Sequence, residues 1–177
     1  MRLTPSQTIV RLERAALEAG HVRGRIVATS AKLVAVAVVS DEIRCDGFNV
    51  FRRADISDLT APDPYAEFVV DALRLRGDTF PRARGLDLTS WHALVRWACL
   101  RYPLVTIHLE ARDRDACYIG RPTRMTSRTL TLATIAPDAV WHDEDPLVVP
   151  WADVPQVGFG GAYEDALALV AREREAR

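Results

Sequence analysis

Two distant stretches of the chain repeat one pattern, and this repetition limits the possible folds more than any other sequence feature. The stretches are residues 51–59 and 149–157. Both read Ala-Asp-aliphatic, then two residues, then another aliphatic residue. In both, a tyrosine follows ten residues after the aspartate, at Tyr65 and at Tyr163. Such self-similarity at a fixed distance predicts an internal duplication.

Further matches occur in the same order along the chain. Gly24 corresponds to Gly120, each followed by an arginine, and Leu33 corresponds to Leu130 with a drift of one residue. Each half therefore reads as a helix, about five short strands and a second helix. Five short strands on so short a chain are expected to curl into a small barrel, which covers their edges. Since a half of this size is marginal alone, we expect the halves to share a core.

The domain boundaries follow from this reading. Residues 1–76 are predicted to form the first helix–barrel–helix unit, residues 77–88 a linker, and residues 89–177 the second unit. Pro5 or Ser6 starts the first helix, which places Ile9, Leu12 and Ala16 on one face. The Asp46-Gly47 dipeptide predicts a hairpin, and residues 143–146 predict a turn.

Three helices follow from apolar residues at offsets 0, 3, 4, 7 and 8, the spacing of one buried stripe. The first stripe begins at Tyr65, the second at Trp91 and the third at Tyr163. Trp97 lies off the stripe of its helix. We therefore expect Trp97 and Trp151 at an interface between halves or subunits.

Charge and cysteine content narrow the class of protein. Residues 1–86 carry 13 basic and 11 acidic side chains and residues 87–177 carry 10 and 13, which gives the net charge of −1. Neither half is a basic block of the kind that binds nucleic acid strongly. Cys45, Cys99 and Cys117 lack the spacing of a zinc or redox motif. With no signal peptide and no long apolar run, the sequence predicts a soluble, cytoplasmic protein.

The order of these features resembles the Sm-like, or SH3-like, small barrel. The shared features are a leading helix, a bent strand with a central glycine, an apolar strand, and a tight turn before a short fifth strand. The resemblance implies an α+β fold of tandem five-stranded antiparallel Sm-like/SH3-like small barrels with flanking helices. Residues 117–121 and 157–167 also resemble an uncharacterised bacterial protein family with such duplicated barrels.

Sm-like proteins bind RNA through an Asp and an Asn after the bent strand and an Arg-Gly in the last loop. The corresponding loops here, residues 29–32 and 126–129, lack the Asp/Asn pair. Arg52 stands where the arginine would be, but Arg53 replaces the glycine, and the second half has Pro150-Trp151. Arg52 and Arg53 are candidate binding residues, or else solvated charges on an edge strand that discourage pairing.

Other polar clusters have a structural reading beside a chemical one. Trp141 and His142, with the acidic residues that follow, are candidates for binding, but consecutive residues point alternately and do not converge on a metal. His108 and Glu110 share a strand face and could be a general base with its partner, or a partly exposed salt bridge. Residues 158–161 precede a helix and are read as a turn.

Three functional hypotheses remain from the sequence. The first is a non-enzymatic binding or assembly protein without metal or cofactor, which self-associates through helix faces or barrel edges or binds another protein. Its candidate binding residues are Arg52, Arg53, Trp141, His142 and Trp151. The second hypothesis is RNA or single-stranded nucleic-acid binding. The third, a small hydrolase or metal-dependent enzyme, would use His108, Glu110 or His142.

Overall fold

A computed structural model describes residues 4–5, 7–17, 19–110 and 117–175 of the chain. The strands are β1 Val10–Arg14, β2 Ala19–Thr29, β3 Leu33–Val39, β4 Cys45–Arg52, β5 Asp58–Thr60, β6 Val105–His108, β7 Cys117–Met125, β8 Thr129–Ile135, β9 Trp141–Pro150 and β10 Gln156–Phe159. The helices are α1 Ala66–Leu75, α2 Trp91–Cys99 and α3 Ala162–Glu175. Short 3-10 turns lie at Ala15–Leu17, Arg53–Asp55 and Trp151–Asp153.

The strands form one antiparallel sheet in the order β5-β1-β2-β3-β4-β10-β6-β7-β8-β9. The prediction of two tandem closed barrels is therefore wrong. The halves join where β10 pairs with both β4 and β6, and the sheet stays open at β5 and β9. Because β10 lies between β4 and β6, it pairs with the exposed edge of both strands. If either half closed on itself as a barrel, one of those two edges would stay unpaired.

The two halves of the sheet have the same strand order. β5-β1-β2-β3-β4 in the first half corresponds to β10-β6-β7-β8-β9 in the second. Gly24 opposes Val38, and Gly120 opposes Thr134. The turns after β3 and β8 also agree, and each places a non-glycine residue at positive φ, Ile43 at 56° and Ala139 at 63°. Strand order is a property of the fold and not of descent, so a duplication in ancestry stays a prediction.

Three local predictions are wrong. The first helix is absent from the described residues, because Val10, Leu12 and Arg14 alternate as the buried positions of β1, a period of two that burial favours over the helical spacing. Asp46-Gly47 lies inside β4, and the hairpin turn comes earlier, where Ser40 and Arg44 bond through their backbones. Residues 143–146 lie within β9, where the pairing with β8 shifts register.

The main core spans both halves and lies between the sheet and α2. It joins residues from β3 and β4, from β6, β8, β9 and β10, and from α2: Leu33, Phe48, Val50, Leu94, Val95, Ile107, Leu130, Val149 and Phe159. The predicted linker also contributes, since Phe80, Ala83 and Leu86 pack against this core and Leu88 is buried in it. The expectation of a shared core thus matches the packing.

The predicted helix stripes are only partly buried. In α1 the buried residues are Val69 and Leu73, while Tyr65 and Phe68 are each 62% exposed. In α2, Trp97 is buried although it lies off the stripe. It packs against Phe159 with ring centroids 5.8 Å apart, so its place in the shared core matches the expected interface between halves.

Candidate functional site

A large cavity lies at the junction of the two halves. This junction cavity has a volume of about 1100 Å³. It is lined by residues 31–33 and 52–54 of the first half, by Ser127, Trp151 and Ala152 of the second, and by residues 89–92 at the start of α2. Three of the five candidate binding residues, Arg52, Arg53 and Trp151, line it.

Arg52 ties the floor of the junction cavity together. Its Nη2 donates to the carbonyl oxygens of Ala152 at 2.6 Å and Val154 at 2.8 Å, and its backbone N–H donates to the Pro155 carbonyl. Its Nη1 lies 3.8 Å from the Asp55 carboxylate. Burial raises the pKa of Asp55, against the opposing effect of Arg52. Most of Arg52's donors are committed to the chain, so it holds the two halves in place.

Aromatic side chains form one wall of the junction cavity. Trp91 and Trp151 are nearly buried, and the ring of His92 packs edge-on against Trp151 with centroids 6.3 Å apart. The Trp151 indole N–H donates to the Thr126 carbonyl at 3.0 Å, which fixes the ring. The Ser90 hydroxyl caps α2 by accepting from the Ala93 N–H at 3.1 Å. The wall is therefore rigid and mostly apolar.

The rim of the junction cavity is cationic. Lys32 is exposed and is the only lysine of the chain. The Arg53 guanidinium has one long hydrogen bond, at 3.4 Å to the Ser30 carbonyl. None of the described residues that line the cavity is acidic. The cavity therefore combines an apolar wall with uncompensated positive charge.

Trp141 and His142 lie elsewhere, on β9. Trp141 packs against the cluster beneath α3, and the Arg121 guanidinium lies 4.4 Å from the centroid of its ring. His142 is exposed. Both residues begin β9, whereas Trp151 follows its last residue, so the length of the strand separates them from the other three candidates.

A cluster of polar side chains is buried where β1, β6 and β10 approach one another. Arg14 donates to Glu110 through two nitrogens, at 2.9 and 2.5 Å, and also to the Gln156 Oε1 at 2.5 Å. The Gln156 Nε2 lies 3.1 Å from the His108 Nε2. Because Arg14 requires the amide oxygen, the amide nitrogen faces His108 and donates to it. His108 is thus neutral with its proton on Nδ1, and burial lowers its pKa.

This arrangement argues against the hydrolase hypothesis. Glu110 pairs with Arg14 and not with His108, so the proposed base and orienting carboxylate are not partners. His142 is on β9, three strands from β6, a separation of roughly 14 Å in the sheet. Asp113 and Asp115, which follow Glu110 in the sequence, lie outside the described residues.

Two smaller cavities continue from the junction cavity along residues 80–89. One, of about 460 Å³, lies between residues 28–30 and 85–89 and shares Thr89 with the junction cavity. The next, of about 620 Å³, is lined by Arg25, Arg82 and Arg84 and, among its described residues, by no acidic side chain. The Arg25 guanidinium lies 4.3 Å from the centroid of the Phe80 ring. Positive charge is thus grouped on one side of a chain with net charge −1.

The glycine-rich segment before α3, predicted as a turn, belongs to β10 at Gly158 and Phe159 and turns only at residues 160–161. The position there that could bind an anion is already occupied. The Asp46 carboxylate accepts from the Ala162 N–H at 2.8 Å. Gly160 has φ of +71° and packs against the Tyr102 ring. The Asp46 carboxylate thus already occupies the start of α3. Its negative charge repels a phosphate there. No group of three or more potential metal ligands occurs among the described residues.

Sequence reasoning missed Lys32, Trp91 and His92 as lining residues. The available indication was the Ser90 cap, which places an aromatic pair in the first turn of α2.

We compared the chain with protein-family models, curated proteins and solved structures, and none of them matches it. Within the described residues, every helix is too short or too polar to span a membrane.

Proposed function

We propose that the chain is a non-enzymatic binding module whose ligand occupies the junction cavity. The observation that carries this proposal is the cavity itself, built by both halves and α2 around a rigid aromatic wall. Its volume of about 1100 Å³ is at the upper end of the range for small-molecule sites.

The chemistry of the lining residues supports binding without catalysis. The Ser90 hydroxyl serves α2 as its cap, and the Thr89 hydroxyl donates to the Asp87 carboxylate at 2.7 Å. His92 packs on Trp151. The Asp87 carboxylate also accepts from the Thr89 backbone N–H at 3.0 Å, so this pair closes the turn before α2 and does not activate a nucleophile.

Titration with N-phenyl-1-naphthylamine, a neutral fluorescent aromatic compound, tests the proposal. We expect saturable binding of one molecule per chain. Replacing Ala31, an exposed lining residue, by Trp narrows the cavity and is expected to weaken this binding. Ala166→Trp, at an exposed site on α3, is the matched control and leaves it unchanged. Equal binding by Ala31→Trp and the wild type, or no binding by the wild type, contradicts the proposal.

A second candidate function is single-stranded nucleic-acid binding, which the cationic cavities at the two ends of this row favour, although Asp87 lines the cavity between them. Three arginines line one end and Lys32, Arg52 and Arg53 the other. Phosphates would lie along the cations while bases stack on the aromatic wall. The test is a mobility shift with a twelve-nucleotide single strand at low salt. Arg82→Glu with Arg84→Glu abolishes the shift, whereas the exposed Arg74→Glu retains it; absence of any shift removes this candidate.

We also propose self-association through α1 with a second copy of the chain. Tyr65, Phe68 and Leu75 lie on its outer face and are 62%, 62% and 77% exposed. Glu67 lies in its first turn and Arg74 in its last. Antiparallel packing of two α1 helices therefore brings opposite charges together while covering the apolar residues.

Sedimentation velocity at increasing protein concentration tests the association. A dimer that Phe68→Glu converts to monomer is expected, while Glu164→Gln, on the helix α3, leaves the dimer intact. A monodisperse monomer at high micromolar concentration contradicts the proposal.

We further propose that the chain works in the cytoplasm, which its free thiols at Cys45, Cys99 and Cys117 support. We also propose that its halves arose by duplication, which the repeated pattern at residues 51–59 and 149–157 supports.

A further inference from the structure

We infer that the ligand of the junction cavity is an organic anion with a flat apolar body. This inference rests on the proposed function and adds the chemical class of the ligand. It follows from two properties of the cavity, the shape of its apolar wall and the distribution of charge around its rim.

The apolar wall selects a flat body. Trp91 and Trp151 present ring surface to the cavity, and Leu33 closes the inner end. Both tryptophans are held, Trp91 in the first turn of α2 and Trp151 through its bond to the Thr126 carbonyl. A planar group loses little freedom when it stacks on rings that are already fixed.

The charge of the cavity rim favours a ligand that carries a negative charge. Arg52 is committed to the Ala152 and Val154 carbonyls, but the Lys32 ammonium and most of the Arg53 guanidinium are not. With no acidic residue among the described lining residues, a neutral ligand would leave these charges without a counter-ion. An anion near Lys32 lies partly out of water, where the attraction between opposite charges is stronger.

The start of α2 adds to this positive potential. Thr89, Ser90 and His92 line the cavity, so the positive end of the helix dipole lies toward the ligand. This contribution is secondary to the two side-chain cations and is not needed for the inference.

A pair of probes with one aromatic skeleton measures the preference. 8-Anilinonaphthalene-1-sulfonate carries a sulfonate that N-phenyl-1-naphthylamine lacks. We expect the wild type to bind the sulfonate about tenfold more tightly. Lys32→Glu is expected to weaken sulfonate binding about fivefold or more and to leave the neutral probe unchanged, because one charge contact at a partly exposed site contributes about 1 kcal/mol. Lys32→Arg retains the preference.

The outcomes separate the inference from the proposed function. Equal affinity for the two probes, or a preference that survives Lys32→Glu, contradicts the inference that the ligand is an anion. The cavity would then remain a binding site. Failure of both probes to saturate overturns the binding site itself. Displacement of the sulfonate probe by 1-naphthoate assigns a carboxylate, and displacement by adenosine monophosphate assigns a phosphate. Displacement by neither counts against the inference.

Discussion

The guanidinium of Arg14 and the carboxylate of Glu110 form a bidentate ion pair in the interior, at 2.9 and 2.5 Å. Both side chains are nearly inaccessible to water, with 5% and 6% of their surface exposed. Arg14 ends β1 in the first half, and Glu110 follows β6 in the second. The pair therefore joins the two halves, and Gln156 on β10 completes it. Its desolvation is offset only while both partners are present.

Removing one partner is expected to be more damaging than removing both. Glu110→Ala leaves the Arg14 charge buried without a counter-ion and should lower the free energy of unfolding by about 3–5 kcal/mol. Replacing both residues by methionine should cost less. Urea denaturation measures both effects. Asp71→Ala, which breaks the exposed pair with Arg74, is the control and should change stability by less than about 1 kcal/mol. Similar losses for Glu110→Ala and the control would contradict the argument.

Gly24 and Gly120 should be equally intolerant of a side chain. A Cβ at either position would overlap the backbone carbonyl of the opposing strand, at Ala37 and at Ala133 respectively. Alanine at either site should destabilise by about 1–3 kcal/mol, because the two strands must separate locally. Gly20→Ala meets nothing within 4 Å and is the control. Thermal melts of the three variants compare them directly, and a neutral Gly24→Ala would show that β2 and β3 can shift apart.

Local strand patterns were predictable from the sequence, whereas the pairing between halves was not. Alternation and β-branched runs place β3 and β8 well, and the tight turns at Asp55 and Asp153 occur as 3-10 turns. The sequence does not indicate which edge β10 will cover. The pairing of Gln156 with both Phe51 and His108 depends on long-range contacts, which local residue preference does not encode.

The residues of the candidate site were likewise only partly predictable from the sequence. Arg52 ends β4, and Arg53 and Trp151 hold equivalent positions at the start of the turns after β4 and β9. These three residues were predictable candidates, and the structure brings them to one cavity. Lys32 and His92 were missed because their place depends on how α2 packs across the junction. Arg14 was missed because the predicted first helix places it off the apolar face of Ile9, Leu12 and Ala16. Its burial depends on contacts among β1, β6 and β10.

Protonation of His108 should destabilise the protein. Burial lowers its pKa from the ordinary value of 6.5, Glu110 opposes this shift and Arg14 adds to it. The folded state therefore binds the proton less well than the unfolded chain, so stability is complete above the unfolded pKa and is lost as pH falls below it toward the folded pKa. The direction agrees with the Gln156 amide, which donates to the neutral ring.

A melting series from about pH 7.5 to about pH 5.5 measures this effect. The melting temperature should fall as the pH is lowered. His108→Gln, which cannot be protonated, should flatten that part of the profile. His142→Gln changes an exposed histidine and should leave the profile unchanged. A wild-type profile that is flat or rises toward low pH would contradict the buried neutral state.

The edge of β9 is built to resist pairing with another strand. The Trp151 N–H donates to the Arg128 carbonyl across the β8–β9 hairpin, so alternation turns the backbone nitrogens of Val148 and Pro150 away from β8. Pro146 lies just before them, where the pairing with β8 shifts register. Two of these three positions are prolines, which cannot donate. The corresponding edge of β4 has no proline and does pair, with β10.

Backbone N–H donors at the two proline positions should therefore create an edge that pairs with other strands. The double change Pro146→Ala and Pro150→Ala supplies two N–H groups on a strand whose partner side is free, each hydrogen bond contributing about 1 kcal/mol. We expect concentration-dependent association beyond the wild type in sedimentation velocity. Pro137→Ala, in the turn before β9, serves as the control because its nitrogen is not on that edge. If the double variant stays in the wild-type oligomeric state at all concentrations while its melting temperature is unchanged, the prolines do not protect the edge. A second obstacle, such as the exposed acidic residues Glu144 and Asp145, must then keep other strands away.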